Sequence, residues 1–258
     1  MVQYFDKIPD FLISWIDKQK IFWVATAPLT GDGLVNISPK GRAGSFRVVN
    51  PNQVWYEDLT GSGIETVAHV RENGRITVLF NAFEGPPRIL RLYGKGRVYE
   101  FGTPEYEALL PPEKRQPGSR SIIMIDVFKV GTSCGYAVPF YEYKAERNRL
   151  HAFSHARELV DIDAEKARDM SSCSVPPRPE KGLKQYWFAR NATSLDGLPG
   201  ILTGHDSLKT FRAMTESVQK DDEREGVVFG AEEFKMVAAF LTGVVLTASY
   251  MKFIRSAS

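Results

Sequence analysis

Residues 21–38 read Ile21-Phe-Trp-Val-Ala-Thr-Ala27, then Pro-Leu-Thr-Gly-Asp-Gly33, then Leu34-Val-Asn-Ile-Ser38. The first part is a dense run of β-branched and aromatic residues, which predicts a strand. Its successor, Thr30-Gly-Asp-Gly33, is typical of a hairpin turn. Residues 34–38 are therefore predicted to return as the second strand of an antiparallel hairpin.

The same pattern continues through the first 145 residues. Further strands are predicted over 53–58, 76–80, 89–99, 121–130 and 136–143, with short helices over 9–18 and 64–72 and from Thr103. The strand–helix–strand repeats that parallel sheets require are absent from this pattern. We therefore expect a mainly β domain over 1–145, built as an antiparallel barrel with flanking helices.

The remainder of the chain is predicted to be a helical C-terminal extension. Residues 146–200 are expected to pack on the barrel, with helices over 151–167 and 182–192, and 201–234 to hold a helix over 207–218 and a charged linker. Residues 235–255 are predicted to form an apolar helix, and 236–251 carry no charged side chain. A bilayer span needs about 20 apolar residues. This segment is either a tail anchor facing the cytosol or a helix buried against protein.

Composition restricts the function classes. The chain has 258 residues, is 43% hydrophobic and 25% charged, and has a net charge of +2, so no general attraction to nucleic acid is expected. Its two cysteines, Cys134 and Cys173, form no metal-binding or disulfide pattern. Since the N-terminus does not resemble a signal peptide, an intracellular, cytoplasmic location is predicted.

Two short segments combine groups that bind anions. In Asn36-Ile-Ser-Pro-Lys-Gly41, Asn36 and Ser38 alternate onto one strand face and Lys40 adds a cation. In Thr60-Gly-Ser-Gly63, Gly61 allows close backbone approach, and Thr60, Ser62 and Thr66 add hydroxyl groups at a helix N-terminus. Taken alone, this second loop is better explained as a tight turn with Ser62 as an N-cap.

A third segment places arginines within a predicted strand. Arg88 falls on one face of residues 88–95, whereas Arg91 falls on the other. An arginine inside an apolar strand needs a carboxylate or a bound anion as its partner. We therefore add Arg88 and Arg91 to the candidate anion-binding residues, although a surface-facing strand is the simpler explanation for Lys95.

These segments, in this order, resemble the pyridoxamine 5′-phosphate oxidase-like family of FMN-binding split barrels. The resemblance extends over about residues 5–200. Besides the segments above, it includes Ala25-Thr-Ala-Pro28, the run from Ala82 to Val98, Ser133-Cys-Gly-Tyr-Ala-Val-Pro139 and Ser194-Leu-Asp-Gly-Leu-Pro-Gly200. It is closest to a broad subgroup of bacterial and fungal members.

The resemblance implies a six-stranded antiparallel split β-barrel and a homodimer with two FMN sites at the subunit interface. It places the FMN phosphate near three groups of candidate residues: Asn36, Ser38 and Lys40; Thr60, Gly61, Ser62 and Thr66; and Arg88 or Arg91. True pyridoxamine-phosphate oxidases carry an Arg-Gln pair where this chain has Arg88-Ile89. Activity on vitamin B6 is therefore not implied.

Other chemically interesting residues give weaker patterns. His151, His155 and Glu158 are spaced for one helix face, but such a trio without supporting ligands does not predict a metal site. The same histidines are the only reason to consider haem instead of FMN. His69 could orient a ligand loop, although packing within its helix is the expected role. Cys134 is expected to be a buried, inert thiol.

Two functional hypotheses follow. In the first, the chain is an FMN-dependent oxidoreductase acting on a small molecule, with catalytic residues that the sequence does not identify. In the second, it is a non-catalytic flavin- or haem-binding module tethered to a membrane by its C-terminal helix.

Overall fold

The computed structural model describes residues 2–167 and 178–212. Its eight strands form one sheet in which every pairing is antiparallel. The strands are β1 (Gln3–Phe5), β2 (Phe22–Thr26), β3 (Asn36–Lys40), β4 (Phe46–Asn50), β5 (Gln53–Leu59), β6 (Arg75–Asn81), β7 (Ile89–Glu100) and β8 (Ser119–Ser133). The helices are α1 (Asp10–Ile16), α2 (Glu65–Asn73), α3 (Pro104–Leu109), α4 (Arg149–Lys166) and α5 (Leu183–Arg190).

The predicted class, mainly antiparallel β with flanking helices, is confirmed. The strand order is β3-β2-β6-β7-β8-β5-β4, and β1 adds to β8. The sheet has eight strands where the resemblance implied six. The hairpin of β2 and β3 is present, with Thr26 opposite Asn36, so its second strand begins two residues later than the predicted Leu34.

Two apolar clusters hold the sheet together. Ile123 and Ile125 of β8 point into the barrel interior, whereas Ile122 and Met124 point to a second cluster with Tyr106. That second cluster also contains Leu183 and Trp187 of α5. Because both of its faces are covered, β8 reads as a continuous apolar run.

Some predicted elements differ in the structure. Residues 136–143 form no strand: strand-like composition does not by itself provide a partner, and they pair with none of β1–β8. Tyr136 is 83% exposed. The short strand β4 was not predicted. Residues 207–212 are not helical, and the rest of the predicted helix over 207–218 lies outside the described residues.

Nothing in the structure tests the C-terminal segment. Within residues 2–167 and 178–212, no helix combines the length and apolar character needed to cross a membrane. The apolar residues 236–251, the charged linker and Cys173 lie outside those ranges.

Candidate functional site

A polar cleft lies between strand β3 and the loop that leads into helix α2. Its volume is about 380 Å³. It brings together six of the residues predicted from sequence, namely Ser38, Lys40, Thr60, Gly61, Ser62 and Thr66. The wall also contains Arg42, Ser45, Glu57, Glu65 and Arg120, which the sequence analysis did not select.

The two-residue period of β3 explains one side of the cleft. Asn36, Ser38 and Lys40 are half-buried, whereas Ile37 and Pro39 between them are exposed. The Ser38 hydroxyl donates to Asn36 Oδ1 at 3.1 Å. Asn36 lies behind the cleft and donates through Nδ2 to Thr66 Oγ1 at 2.9 Å, so β3 is tied to the first turn of α2.

The loop after β5 provides the opposite side. Among the described residues, the backbone N–H groups of Gly61, Ser62 and Gly63 have no hydrogen-bond acceptor, and neither does the Ser62 hydroxyl. The carbonyl oxygens of this loop do have partners: Gly61 and Gly63 accept from Arg120 Nη1 at 3.4 and 2.9 Å. The donors are thus left unpaired while the acceptors are satisfied. Free donors at a helix N-terminus are suited to an anion.

A buried carboxylate holds two of the three cations that line the cleft, Lys40 and Arg120. Asp58 has no exposed surface and accepts from Lys40 Nζ at 2.9 Å and Arg120 Nε at 2.8 Å. Burial alone would raise the pKa of Asp58, but the Arg120 guanidinium and the Lys40 ammonium lower it to about 2. Two cations therefore share one carboxylate, which leaves positive charge at this end of the cleft.

Two further carboxyl groups, those of Glu57 and Glu65, line the cleft. Glu57 is buried and accepts from the backbone N–H of Gln116 at 2.8 Å. Burial raises its pKa, which favours the neutral form. Glu65 folds its carboxylate against Gly63, so a side chain at position 63 would collide with it. Glu65 would repel an anion close to Gly63, whereas Lys40 would attract one.

Thr60 has a different role from the one predicted. Its hydroxyl donates to the carbonyl of Gly118 at 2.5 Å and accepts from Trp187 Nε1 at 2.8 Å. Its backbone N–H also donates to Gly118, at 2.7 Å. Thr60 consequently has no donor left for an anion and instead fastens the loop to β8 and α5.

The structure separates both predicted arginines from the cleft. Arg88 lies over the rings of Trp15 and Phe11, at 5.5 and 5.9 Å from their centroids. Arg91 is a half-buried residue of β7, opposite Leu79 and Gly131, and pairs with no carboxylate among the described residues.

Arg120 is a buried cation of the cleft that was not predicted from sequence. It is buried, and besides Asp58 it donates to Asn191 Oδ1 at 2.9 Å. The argument applied to Arg91, that an arginine next to an apolar run needs a partner, applies equally to Arg120. Its position directly before Ser121-Ile-Ile-Met-Ile125 is the signal that identifies it.

His69, for which packing was the expected role and orientation of a ligand loop the alternative, lies behind the cleft. It is fully buried in α2. Its Nδ1 lies 3.0 Å from Thr26 Oγ1, and its Nε2 lies 3.2 Å from Asp196 Oδ2. Thr26 Oγ1 in turn accepts from Asn36 Nδ2 at 3.4 Å. His69 therefore connects the turn around Asp196 to the residues behind the cleft.

A larger cavity adjoins the polar cleft. It measures about 990 Å³ and shares Pro39, Gly41, Arg42, Leu59 and Leu150 with the cleft. Its remaining wall is rich in aromatic residues from α1, from the segment after β6 and from the segment after β8: Trp15, Phe83, Tyr141 and Tyr143. We call it the aromatic cavity.

The histidine trio considered for metal is divided by its contacts. Glu158 accepts from Arg115 Nη2 and from the backbone N–H of Gly118, both at 2.7 Å. His151 lines the aromatic cavity. Among the described residues no group of three or more histidine, cysteine or acidic side chains is arranged to hold a metal ion. The prediction of a buried Cys134 is wrong: it is an exposed free thiol, because β8 ends at Ser133 and the chain leaves the sheet there.

Comparison with known proteins finds a relative that covers most of this chain. No family model matches the chain. It is 35% identical over 212 residues to the pyridoxamine 5′-phosphate oxidase family protein ustO of Aspergillus flavus, covering 77% of both chains.

Among solved structures the likenesses are more distant. HupZ of Group A Streptococcus is 25% identical with a TM-score of 0.39, covering 48% of this chain and 91% of its own. An FMN-binding protein of Syntrophomonas wolfei is 12% identical with a TM-score of 0.34, covering 46% of this chain and 79% of its own. These likenesses are too distant to bear on function. On the identity and coverage shared with the Aspergillus protein, the chain belongs to the pyridoxamine 5′-phosphate oxidase family.

Proposed function

We propose that this chain is an FMN-binding flavoprotein that acts as an oxidoreductase on a small molecule. The observation that carries the proposal is the row of unpartnered donors in the polar cleft. Gly61, Ser62 and Gly63, whose backbone N–H groups have no acceptor among the described residues, line the same cleft as Lys40, and the Ser62 hydroxyl is also without a partner there. Such a set of donors matches the oxygens of a phosphate group.

The residues fit a phosphate in number as well as in type. Lys40 uses one of its three N–H donors on Asp58 and keeps the others free. Arg120 is committed to Asp58 and to the loop carbonyls, so it contributes charge rather than direct hydrogen bonds. In this proposal Lys40, Gly61, Ser62 and Thr66 contact the phosphate, and Asn36 and Ser38 support them.

The aromatic cavity is the proposed location of the flavin ring and of the substrate. It shares five wall residues with the cleft. Its aromatic and proline side chains suit a flat, apolar ring system. Bound FMN supplies the electron or hydride chemistry, whereas the protein supplies binding and orientation. Tyr141 and Tyr143 belong to the segment after β8, so this segment would shape the substrate space.

A homodimer is part of the proposal. The outer face of β3 exposes Ile37 at 64%, and Val35 just before it is 71% exposed. An apolar face on an edge strand is typical of a surface covered by another chain. Because β3 also forms one wall of the cleft, a partner on its outer face would lie close to the cofactor site.

The proposed site is tested by titrating the purified protein with FMN and following the quenching of flavin fluorescence. Lys40→Ala removes a charged hydrogen bond to the phosphate and leaves Asp58 paired with Arg120. We expect FMN affinity to fall about tenfold or more. Lys166→Ala, which removes an equal charge from the exposed end of α4, is expected to bind FMN like the wild type.

A Lys40→Ala variant that binds FMN with wild-type affinity would contradict this placement of the phosphate. An equal loss of affinity in Lys166→Ala would show that net charge, and not the cleft, determines binding.

A further inference from the structure

The buried His69 ring joins two parts of the chain that are far apart in sequence. Asp196, in the turn between α5 and the end of the described chain, contributes both carboxylate oxygens: Oδ2 lies 3.2 Å from His69 Nε2, and Oδ1 accepts from the backbone N–H of Leu34 at 3.1 Å. On the other side, His69 Nδ1 lies 3.0 Å from Thr26 Oγ1. Thr26 belongs to β2, His69 to α2, and Asp196 to the turn after α5.

The hydrogen bonds have a direction, which begins at the carboxylate. An ionised carboxylate only accepts, so His69 must donate to it through Nε2. Nδ1 of the neutral ring is then an acceptor, and the Thr26 hydroxyl donates to it. These proton positions follow from the hydrogen-bonding pattern, as they do for any histidine whose hydrogens are not observed.

The order of donors and acceptors continues from Thr26 through Asn36 to the cleft. With its hydrogen committed to His69, Thr26 Oγ1 accepts from Asn36 Nδ2 at 3.4 Å. The same amide nitrogen donates to Thr66 Oγ1 at 2.9 Å. Thr66 is an acceptor in this bond, so its own hydroxyl hydrogen stays uncommitted, and the described residues offer it no acceptor. Thr66 lines the polar cleft.

We infer that Asp196 and His69 are positioning residues that fix the orientation of the Thr66 hydroxyl, so that it donates its hydrogen to an anion in the polar cleft. The inference rests on the proposed function for the identity of that anion, the phosphate of FMN. It gives a role to the Ser194-Leu-Asp-Gly-Leu-Pro-Gly200 segment, which contributes no residue to the cleft wall.

Asp196→Asn is the substitution that reverses the direction without removing a contact. The amide oxygen can keep the hydrogen bond from Leu34, which leaves the NH2 group facing His69 Nε2. Nε2 must then accept, the ring proton moves to Nδ1, and Thr26 becomes the acceptor. The Thr26 hydrogen is then released from Nδ1, and we expect it to turn to Asn36, whose amide presents its oxygen. Thr66 then donates to that oxygen and is lost to the cleft.

The tautomer of His69 is measured directly by long-range ¹H–¹⁵N correlation on histidine-labelled protein, with His69→Gln used to assign the signal. We expect the wild type to be protonated on Nε2 and Asp196→Asn on Nδ1. A wild-type ring protonated on Nδ1 overturns the inference, and this reading needs no ligand. Thermal unfolding of both proteins shows whether the fold is retained.

The consequence for binding is measured by FMN titration of Asp196→Asn, Thr66→Val and the double variant. One lost hydrogen bond lowers FMN affinity roughly three- to tenfold in Asp196→Asn. Because Asp196 acts through Thr66, it should have no further effect in the Thr66→Val background. An equal loss in both backgrounds, or none in either, overturns the inference.

Failure of the proposed function gives a different result. A wild-type protein that binds no FMN contradicts the FMN proposal. The tautomer measurement still supports the direction of the hydrogen bonds if Nε2 is protonated and the proton moves in Asp196→Asn.

Discussion

Asp58 is the residue on which the geometry of the cleft depends most. Its carboxylate has no exposed surface and pairs with both Lys40 and Arg120. Asp58→Asn leaves a buried guanidinium without its counter-charge, and removing one partner of a buried ion pair costs about 3–5 kcal/mol. We expect a decrease of this size in the free energy of unfolding, measured by urea denaturation at pH 7. Asp163→Asn, which breaks an exposed pair with Lys166, should change it by less than about 1 kcal/mol.

The same residue gives a pH dependence with a defined sign. The pKa of Asp58 is about 2 in the folded protein against a reference value of 3.8, so the unfolded chain binds the proton more readily. Its contribution is complete above pH 4 and is lost as the pH falls from about 4 to about 2. The shift corresponds to about 2 kcal/mol. Urea denaturation at pH 7 and pH 3 should therefore show a smaller stability difference between wild type and Asp58→Asn at pH 3; an unchanged difference would contradict the lowered pKa.

At the scale of the element, strand β3 shows what the sequence can predict. The two-residue period placed Asn36 and Ser38 on one face, and the structure has them there together with Lys40. The period also puts Ile37 on the opposite face, where it is exposed. The meeting of β3 with the loop over 60–63 was implied by the family resemblance and not by any local pattern.

The failed prediction of a strand over 136–143 and the missed roles of Arg120 and His69 share one physical reason. Residues 136–143 have strand-like composition, but a strand forms only where another strand pairs with it. That pairing depends on the whole sheet. The roles of Arg120 and His69 likewise depend on partners distant in sequence, Asp58 and Asp196. Local spacing carries no information about such pairs.

The outer face of β3 leads to a prediction about assembly. If a second copy covers this face, Ile37→Lys places a charge in an apolar interface and should convert a dimer to a monomer, measured by sedimentation velocity. Val49→Lys is the matched control, because Val49 is 50% exposed on β4 at the other end of the strand order. A wild-type monomer, or a dimer unaffected by Ile37→Lys, would contradict the proposed interface.

At the scale of the whole molecule, the fold places the polar cleft and the aromatic cavity side by side. The polar cleft and the aromatic cavity share five residues of their walls, among them Arg42 and Leu59. A ligand that is anionic at one end and flat at the other fits this combination better than either half does alone. FMN has that form, with the phosphate at the opposite end from the ring.

The central claim is that the phosphate anchors the cofactor, and the most direct test compares FMN with riboflavin, which has the same ring and no phosphate. Both are titrated into the wild-type protein, and binding is followed by the quenching of flavin fluorescence. The account predicts that FMN binds at least about tenfold more tightly than riboflavin, because only FMN engages Lys40 and the donors of the loop over 60–63. Equal affinity for the two flavins, or binding of neither, would contradict it.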